Sequence, residues 1–152
     1  MYANKMKLIS PEFENCEYIP SQYTCDGENV NPPLEICDVP HEAKSLALIM
    51  DDPDAPNGTF THWTVWNIPP ETKEIDSNNC QPIGAVCGLT SFGETGYGGP
   101  CPPSGEHRYF FKLYALNTML DLPETATKND LEQAMQGHVI ETAELVGLYE
   151  RK

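Results

Sequence analysis

An uninterrupted apolar run marks the centre of the chain. Residues 46–50 (LALIM) are all apolar, and the acidic, proline-rich sequence DDPDAP follows them. A short run without alternation is typical of a strand that is buried on both faces. Each residue that precedes a proline is restricted to extended geometry, so this loop should be stiff. The pattern predicts a buried strand that leads into a rigid loop holding Asp52 and Asp54.

Two aromatic-rich segments predict further strands. Residues 62–68 (HWTVWNI) and 107–116 (HRYFFKLYAL) each follow a turn-rich sequence, and each begins with a histidine. Residues 6–10 (MKLIS) predict a short first strand. The apolar content of residues 138–149 suits a helix or a strand, and we expect a short helical turn followed by a strand over residues 143–149.

Residues 121–136 (DLPETATKNDLEQAMQ) contain the clearest amphipathic pattern. Thr127 or Asn129 can cap a helix here, and Gly137 can end it. Its apolar face would be formed by Leu131, Ala134 and Met135. We also expect Trp63, Trp66 and Met119 to be buried, and His138 to cap the end of the helix.

Strands outnumber helices in this pattern and do not alternate with them. That order favours a mostly β (α+β) fold, with an antiparallel sheet and a short helix near the C-terminus. A chain of 152 residues suits a single domain over residues 1–152.

The charge balance excludes several classes of partner. The net charge is −14, with only nine lysines and arginines, so nucleic acid and anionic membrane surfaces are unsuitable partners. No apolar run approaches the length of a transmembrane helix, and residues 1–10 lack the apolar core of a signal peptide. These features predict a cytoplasmic protein. A single small anion can still be bound locally by backbone N–H groups and imidazoles.

The six cysteines contain no C-x-x-C pair, which argues against a zinc ribbon or a thioredoxin-like motif. We expect reduced thiols, although an even number of cysteines leaves a disulfide open. The long polar segment over residues 71–99 ends in FGETGYGG, and its glycines and aromatics favour an ordered, functional loop.

Several motifs occur together in the order of a known family. DPDAP, HWTVWNIP, GGPCPPSG and HRYFFKLYAL, together with the N-terminal YTCDGENVNPPLEI, resemble the phosphatidylethanolamine-binding protein family. Its members are also called Raf kinase inhibitor-like proteins, and this chain is similar to the prokaryotic type. The resemblance implies a large antiparallel sheet packed on a smaller one, with an anion-binding pocket at one end. It also implies a cis bond at Ala55–Pro56 and a homodimer.

The resemblance assigns the pocket residue by residue. The implied ligand-binding set is Asp52, Asp54, Phe60, His62, Gly99, Pro100, Cys101, His107 and Tyr109. Asp54 can instead serve to support the loop, and Arg108, which points away from His107 along a strand, is expected to pair with it. Cys101 gives the rim a chemistry of its own.

These residues predict non-enzymatic binding of a phosphate-bearing or other anionic small ligand, such as a phospholipid head group or a phosphorylated residue. The resemblance adds a kinase or protease partner that such binding could modulate. An imidazole beside Asp52 should have its cationic form favoured, and glycine allows backbone N–H groups of residues 97–100 to approach a ligand. No metal and no cofactor are expected.

Two enzymatic alternatives stay open. Two histidines and one aspartate could form a metal-dependent active site. A hydrolase could use Cys101 or Ser104 beside His107, although no G-x-S-x-G motif occurs.

Overall fold

The computed structural model describes residues 5–151. These residues form nine strands, one turn of 3₁₀ helix over Ser21–Tyr23 and one α-helix, α1, over Lys128–Met135. The strands are β1 (Lys7–Ile9), β2 (Glu17–Tyr18), β3 (Leu34–Cys37), β4 (Ser45–Asp52), β5 (Phe60–Ile68), β6 (Glu74–Ile75), β7 (Val86–Cys87), β8 (His107–Leu116) and β9 (Val139–Tyr149).

The strands form two sheets. The larger sheet has six strands in the order β2-β9-β8-β4-β5-β7, and the smaller has three in the order β1-β3-β6. Neighbouring strands are antiparallel except for the short pairing of β2 with β9. The predicted fold class, a large antiparallel sheet with a smaller one and a short helix near the C-terminus, is confirmed.

Strand β4 is buried along its whole length because both faces of the large sheet are covered. Its even-numbered apolar residues, Leu46, Leu48 and Met50, belong to the main core, which also contains residues of the small sheet. Ala47 and Ile49 point the other way, into a second core that includes Leu131 and Met135 of α1. This two-sided burial explains why residues 46–50 show no alternation.

Helix α1 begins at a capping box. The Asp130 N–H donates to Thr127 Oγ1 at 3.2 Å, and the Thr127 N–H donates to Asp130 Oδ2 at 3.0 Å. Gly137 follows the helix with a φ of +80°, a conformation that glycine adopts without a steric penalty. Thr127, rather than Asn129, is therefore the N-cap, and the predicted stop at Gly137 is confirmed.

Two local expectations in the C-terminal half are wrong, and a third holds only for the backbone. β9 begins at Val139 rather than at residue 143, because it pairs antiparallel with β8 along the whole of β8. His138 caps α1 through its backbone N–H, which donates to the Met135 carbonyl at 2.9 Å, whereas its side-chain Nδ1 lies 2.9 Å from Asn117 Oδ1. Met119 is exposed instead of buried, whereas Trp63 and Trp66 are fully buried as predicted.

One disulfide, which the sequence left open, is formed, and the expected cis bond is absent. Cys25 and Cys101 form a disulfide, with their Cα atoms 5.5 Å apart. The remaining four cysteines, all within the described residues, are free thiols as expected. The Ala55–Pro56 bond is trans, as are the other peptide bonds of residues 5–151. Trans is the preferred isomer even before proline.

The described residues include no helix that is both long enough and apolar enough to cross a membrane.

Candidate functional site

A cavity of about 420 Å³ opens where three neighbouring strands of the large sheet meet. β4 ends at Asp52, which pairs with Phe60 at the start of β5, and β8 begins at His107 beside them. The antiparallel order of these strands brings the two histidines and the aspartate to one edge of the sheet. The lining residues are Asp52, Ala55, Pro56, Asn57, Gly58, Thr59, Phe60, His62, Phe92, Cys101, Pro102, Pro103, His107 and Tyr109.

Asp52 and His107 form a buried hydrogen-bonded pair. The distance from His107 Nδ1 to Asp52 Oδ2 is 2.7 Å, and both side chains are almost completely buried. The other carboxylate oxygen, Oδ1, accepts the Asp54 N–H at 2.8 Å. Both oxygens are therefore engaged, and His107 Nδ1 is the proton donor in this pair. Its Nε2 has no hydrogen-bond partner among the described residues.

His62 is held differently. Its Nδ1 lies 2.7 Å from the carbonyl oxygen of Gly98, so Nδ1 carries a proton and donates. Burial lowers the pKa of His62 below its ordinary value, and the charges of Asp52 and Asp51 oppose that change only in part. The ring is thus neutral near pH 7, with Nε2 as an acceptor. The imidazole that lies beside Asp52 is that of His107, whereas His62 is hydrogen-bonded to the backbone.

Tyr109 supplies a hydroxyl that makes no hydrogen bond of standard geometry with the described residues, although the Asp52 carboxylate lies near enough to help raise its pKa. Its ring is fully buried and lies 5.3 Å from the His62 ring and 6.4 Å from the His107 ring, measured between centroids. Burial, reinforced by the charge of Asp52, raises the pKa of Tyr109, so the phenol stays protonated. A buried donor without an acceptor is costly unless a water or a ligand satisfies it.

Two phenylalanines form an aromatic wall beside these polar groups. The Phe60 and Phe92 rings meet edge to face at 4.7 Å, and both lie within 6 Å of the His62 ring. Sequence reasoning assigned Phe60 but missed Phe92, which is half exposed. The only signal for Phe92 was the aromatic and glycine content of residues 92–99, which indicated a functional loop but no particular residue.

Gly99 and Pro100 lie behind the cavity wall and do not line it. The Gly99 N–H donates to Asn29 Oδ1 at 2.8 Å, and the Pro100 carbonyl accepts the Cys25 N–H at 3.1 Å. A Cβ on Gly99 would lie 2.5 Å from the Tyr23 carbonyl oxygen, so close packing requires the glycine. The Gly99 N–H and the Pro100 carbonyl are therefore both engaged in hydrogen bonds within the protein.

Asp54 also stands outside the lining and supports the loop. Arg108 donates to it through Nε and Nη2, each at 2.9 Å, and through its backbone N–H at 2.9 Å. These hydrogen bonds lower the pKa of Asp54 to about 2. The predicted pairing of Arg108 with Asp54 is present.

Neither enzymatic alternative gains support from the geometry. Cys101 lines the rim, but its sulfur is bonded to Cys25 and is not a free nucleophile, and Ser104, the other candidate, does not line the cavity. Within residues 5–151, no three His, Cys, Asp or Glu side chains are arranged to share a metal ion.

The fold and this cavity define a class of β-proteins in which a small hollow, lined by both polar and apolar side chains, lies at the end of a large antiparallel sheet. The family model described as "Phosphatidylethanolamine-binding protein" matches residues 9–150. The chain belongs to this family, and membership supports a ligand-binding role for the fold.

Individual relatives agree with this assignment. A UPF0098 protein of Methanothermobacter thermautotrophicus is 54% identical over 150 residues, covering 96% of this chain and 99% of the relative. The crystal structure of CT736 from Chlamydia trachomatis, described as a phosphatidylethanolamine-binding protein homologue, has a TM-score of 0.93 and 45% identity. That alignment covers 98% of this chain and 99% of CT736. Escherichia coli YbcL has a TM-score of 0.91 and 32% identity, covering 98% of this chain and all of YbcL.

Proposed function

We propose that this protein binds a small phosphate-bearing or other anionic ligand in the cavity, without catalysing a reaction on it. One observation carries the proposal: the Tyr109 hydroxyl and the Nε2 atoms of His62 and His107 have no partners among the described residues, although all three side chains line one cavity. Unpaired polar groups around a small hollow are typical of a ligand site.

The two imidazoles and the phenol suit a partly protonated oxyanion. Protonated Tyr109 offers an O–H donor, whereas neutral His62 offers an acceptor at Nε2. A phosphate monoanion carries both an acceptor oxygen and an O–H donor, so it can satisfy both groups. A dianion can satisfy His62 only if a proton is taken up on binding. The absence of lysine and arginine from the lining indicates weak binding.

Replacement of the tyrosine tests the proposal. We expect Tyr109→Phe to weaken the binding of inorganic phosphate and phosphoethanolamine, while leaving the free energy of unfolding unchanged or slightly higher, since a buried unpaired hydroxyl is removed. Titrations followed by NMR of the imidazole signals measure the affinity. Tyr114→Phe is the matched control, because Tyr114 lies on the same strand outside the cavity.

Exposed His41 provides an internal reference in the same spectra. The proposal requires His62 and His107 to shift with ligand while His41 does not. Absence of any shift at millimolar ligand, or equal affinity in Tyr109→Phe and the parent protein, would contradict it.

The metal-dependent alternative rests on the same three residues, Asp52, His62 and His107. It has less support, because Asp52 and His107 are hydrogen-bonded to each other and no three-residue metal cluster occurs among the described residues. Stoichiometric iron or zinc in protein purified without added metal would favour it instead.

The proposal extends to a regulatory role. Ligand binding would modulate a kinase or protease partner in the cytoplasm, as the resemblance implies, and the protein would act as a homodimer. Light scattering measures the oligomeric state. Addition of the protein to a candidate kinase or protease, with and without phosphate, tests the modulation.

A further inference from the structure

We propose that the Cys25–Cys101 disulfide is a site of thiol–disulfide exchange with a dithiol reductant, and that its redox state controls how firmly the rim of the cavity is held. The bond joins a well-anchored turn to residues 101–103, which line the cavity mouth. The expected change in ligand affinity rests on the proposed function. The expected change in the mobility of the rim does not.

The rim loop over residues 101–105 has few other attachments. Before it, the Pro100 carbonyl accepts the Cys25 N–H, and after it the Glu106 carboxylate accepts the Tyr18 hydroxyl. Between those points the loop makes no hydrogen bond to the described residues. The disulfide is therefore the one specific link between this loop and the other described residues. The remaining contacts of the loop are packing contacts.

The Cys25 side of the bond is held independently. The Tyr149 hydroxyl donates to Asp26 Oδ2 at 2.6 Å, and Arg151 Nε donates to Asp26 Oδ1 at 3.2 Å. The Gly27 N–H donates to the Thr24 carbonyl at 3.0 Å. Cleavage of the disulfide would therefore leave this turn in place and release the rim loop.

Accessibility favours attack at one sulfur. Cys101 is exposed, whereas Cys25 is half-buried. A thiolate of the dithiol would attack Cys101 Sγ, form a mixed disulfide and release Cys25 as a thiolate that takes up a proton. The second thiol of the reductant then attacks the mixed disulfide and releases Cys101. In total, two electrons and two protons pass to the protein, and the dithiol becomes a disulfide.

Release of the rim should weaken ligand binding without abolishing it. Asp52, His62, His107 and Tyr109 lie on β4, β5 and β8, which the disulfide does not join. Only the ordering of the rim against the ligand is lost. Immobilising one side chain on binding corresponds to a loss of affinity of about two- to twelvefold.

The test compares the oxidised protein with the protein reduced by dithiothreitol, and with Cys101→Ser. Phosphate affinity is measured from the His62 and His107 NMR signals, and backbone relaxation is measured at the amides of residues 101 and 104–106. We expect weaker phosphate binding and faster motion of these amides in both the reduced and the variant protein. Cys16→Ser, which removes an exposed free thiol that takes no part in the disulfide, is the control and should match the parent protein.

Equal affinity and equal amide mobility in the oxidised and reduced proteins would overturn the inference. So would a disulfide that dithiothreitol leaves intact in the folded protein. If phosphate binds in neither state, the proposed function fails, and the amide mobility alone then decides whether the disulfide holds the rim. Dispersion of the β4, β5 and β8 signals verifies that the reduced protein is still folded.

Discussion

His62 is the residue whose protonation state most affects how the cavity can bind an anion. Its Nδ1–H is committed to the Gly98 carbonyl, and burial lowers its pKa. An anion that carries no proton can therefore use Nε2 only after the ring takes up a proton. Affinity for such an anion should then depend on pH.

Sulfate separates this effect from titration of the ligand, because it stays a dianion near neutrality. We expect sulfate affinity to rise as the pH falls from 8 to 6, by up to about tenfold per pH unit for one proton taken up. His62→Asn should flatten this rise, because an asparagine amide can keep the bond to Gly98 but has no counterpart of Nε2. His41→Asn is the control, and equal pH slopes in parent and His62→Asn would contradict the assignment.

The lowered pKa of His62 makes stability depend on pH in the opposite direction to anion affinity. With its folded-state pKa depressed, His62 is protonated more readily in the unfolded chain, so its contribution to stability is complete above pH 6.5 and is lost as the pH falls below that value. Acidification thus favours anion binding while it weakens the fold that forms the site.

At the residue scale, sequence motifs predicted the polar residues of the cavity better than the aromatic residues of its wall. Asp52, His62, His107 and Tyr109 follow from strand ends and from the family resemblance. Phe92 lies in an irregular segment without periodicity, so no pattern directs its ring toward Phe60. Gly99 belongs to a recognisable motif, yet only three-dimensional packing against Asn29 shows that its N–H is already used.

At the scale of elements, the acidic loop after β4 is held by one ion pair. Arg108 of β8 fixes Asp54, while residues 55–59 of the same loop line the cavity. The pair is partly exposed, so its contribution to global stability is small. Its main effect should be on the position of the loop.

We expect Arg108→Gln to raise the pKa of Asp54 from about 2 toward its ordinary value of 3.8. NMR titration of the carboxyl carbon measures this change. Because the depressed pKa stabilises the folded state above pH 3.8, the stability difference between parent and variant should shrink as the pH falls from 3.8 to about 2. Arg151→Gln, which disturbs Asp26 instead, should leave Asp54 unchanged.

Helix α1 covers the second face of the large sheet, and its start depends on Thr127. Thr127→Ala removes the acceptor for the Asp130 N–H and should lower the free energy of unfolding by about 1 kcal/mol. Chemical denaturation measures the loss, and Thr127→Ser should restore most of it. Thr125→Ala, at an exposed position before the cap, should have little effect; an equal loss there would show that the cap is not the cause.

The contrast between α1 and β9 shows what a sequence pattern can specify. α1 has a capping box, a periodic apolar face and a terminal glycine, and these local signals all agree. In the first residues of β9, near Val139 and Ile140, the local sequence signals do not agree on one structure. Their extended conformation follows from pairing with β8, where Val139 lies opposite Leu116, and that contact has no local signature.

At the scale of the whole molecule, the net charge of −14 and the proposed anion site are compatible because they act over different distances. The repulsion is spread over the surface and is screened beyond about 8 Å at physiological ionic strength. The site itself depends on hydrogen bonds made within the cavity. A weak, locally determined affinity is the consequence, in agreement with the absence of lysine and arginine from the lining.

The disulfide is the one covalent link between distant parts of the chain within residues 5–151, and no pattern could assign it, since six cysteines allow 15 complete pairings. It joins residues separated by 76 positions, so it removes considerable freedom from the unfolded chain.

We expect the double variant Cys25→Ser, Cys101→Ser to lower the free energy of unfolding by about 2–4 kcal/mol in chemical denaturation. Cys16→Ser should match the parent protein. Because the turn around Cys25 keeps its bonds to Tyr149 and Arg151, the loss should arise mainly from the unfolded state, and the variant should retain the parent pattern of sheet NMR signals. Collapse of that pattern would show instead that the bond organises the native sheet.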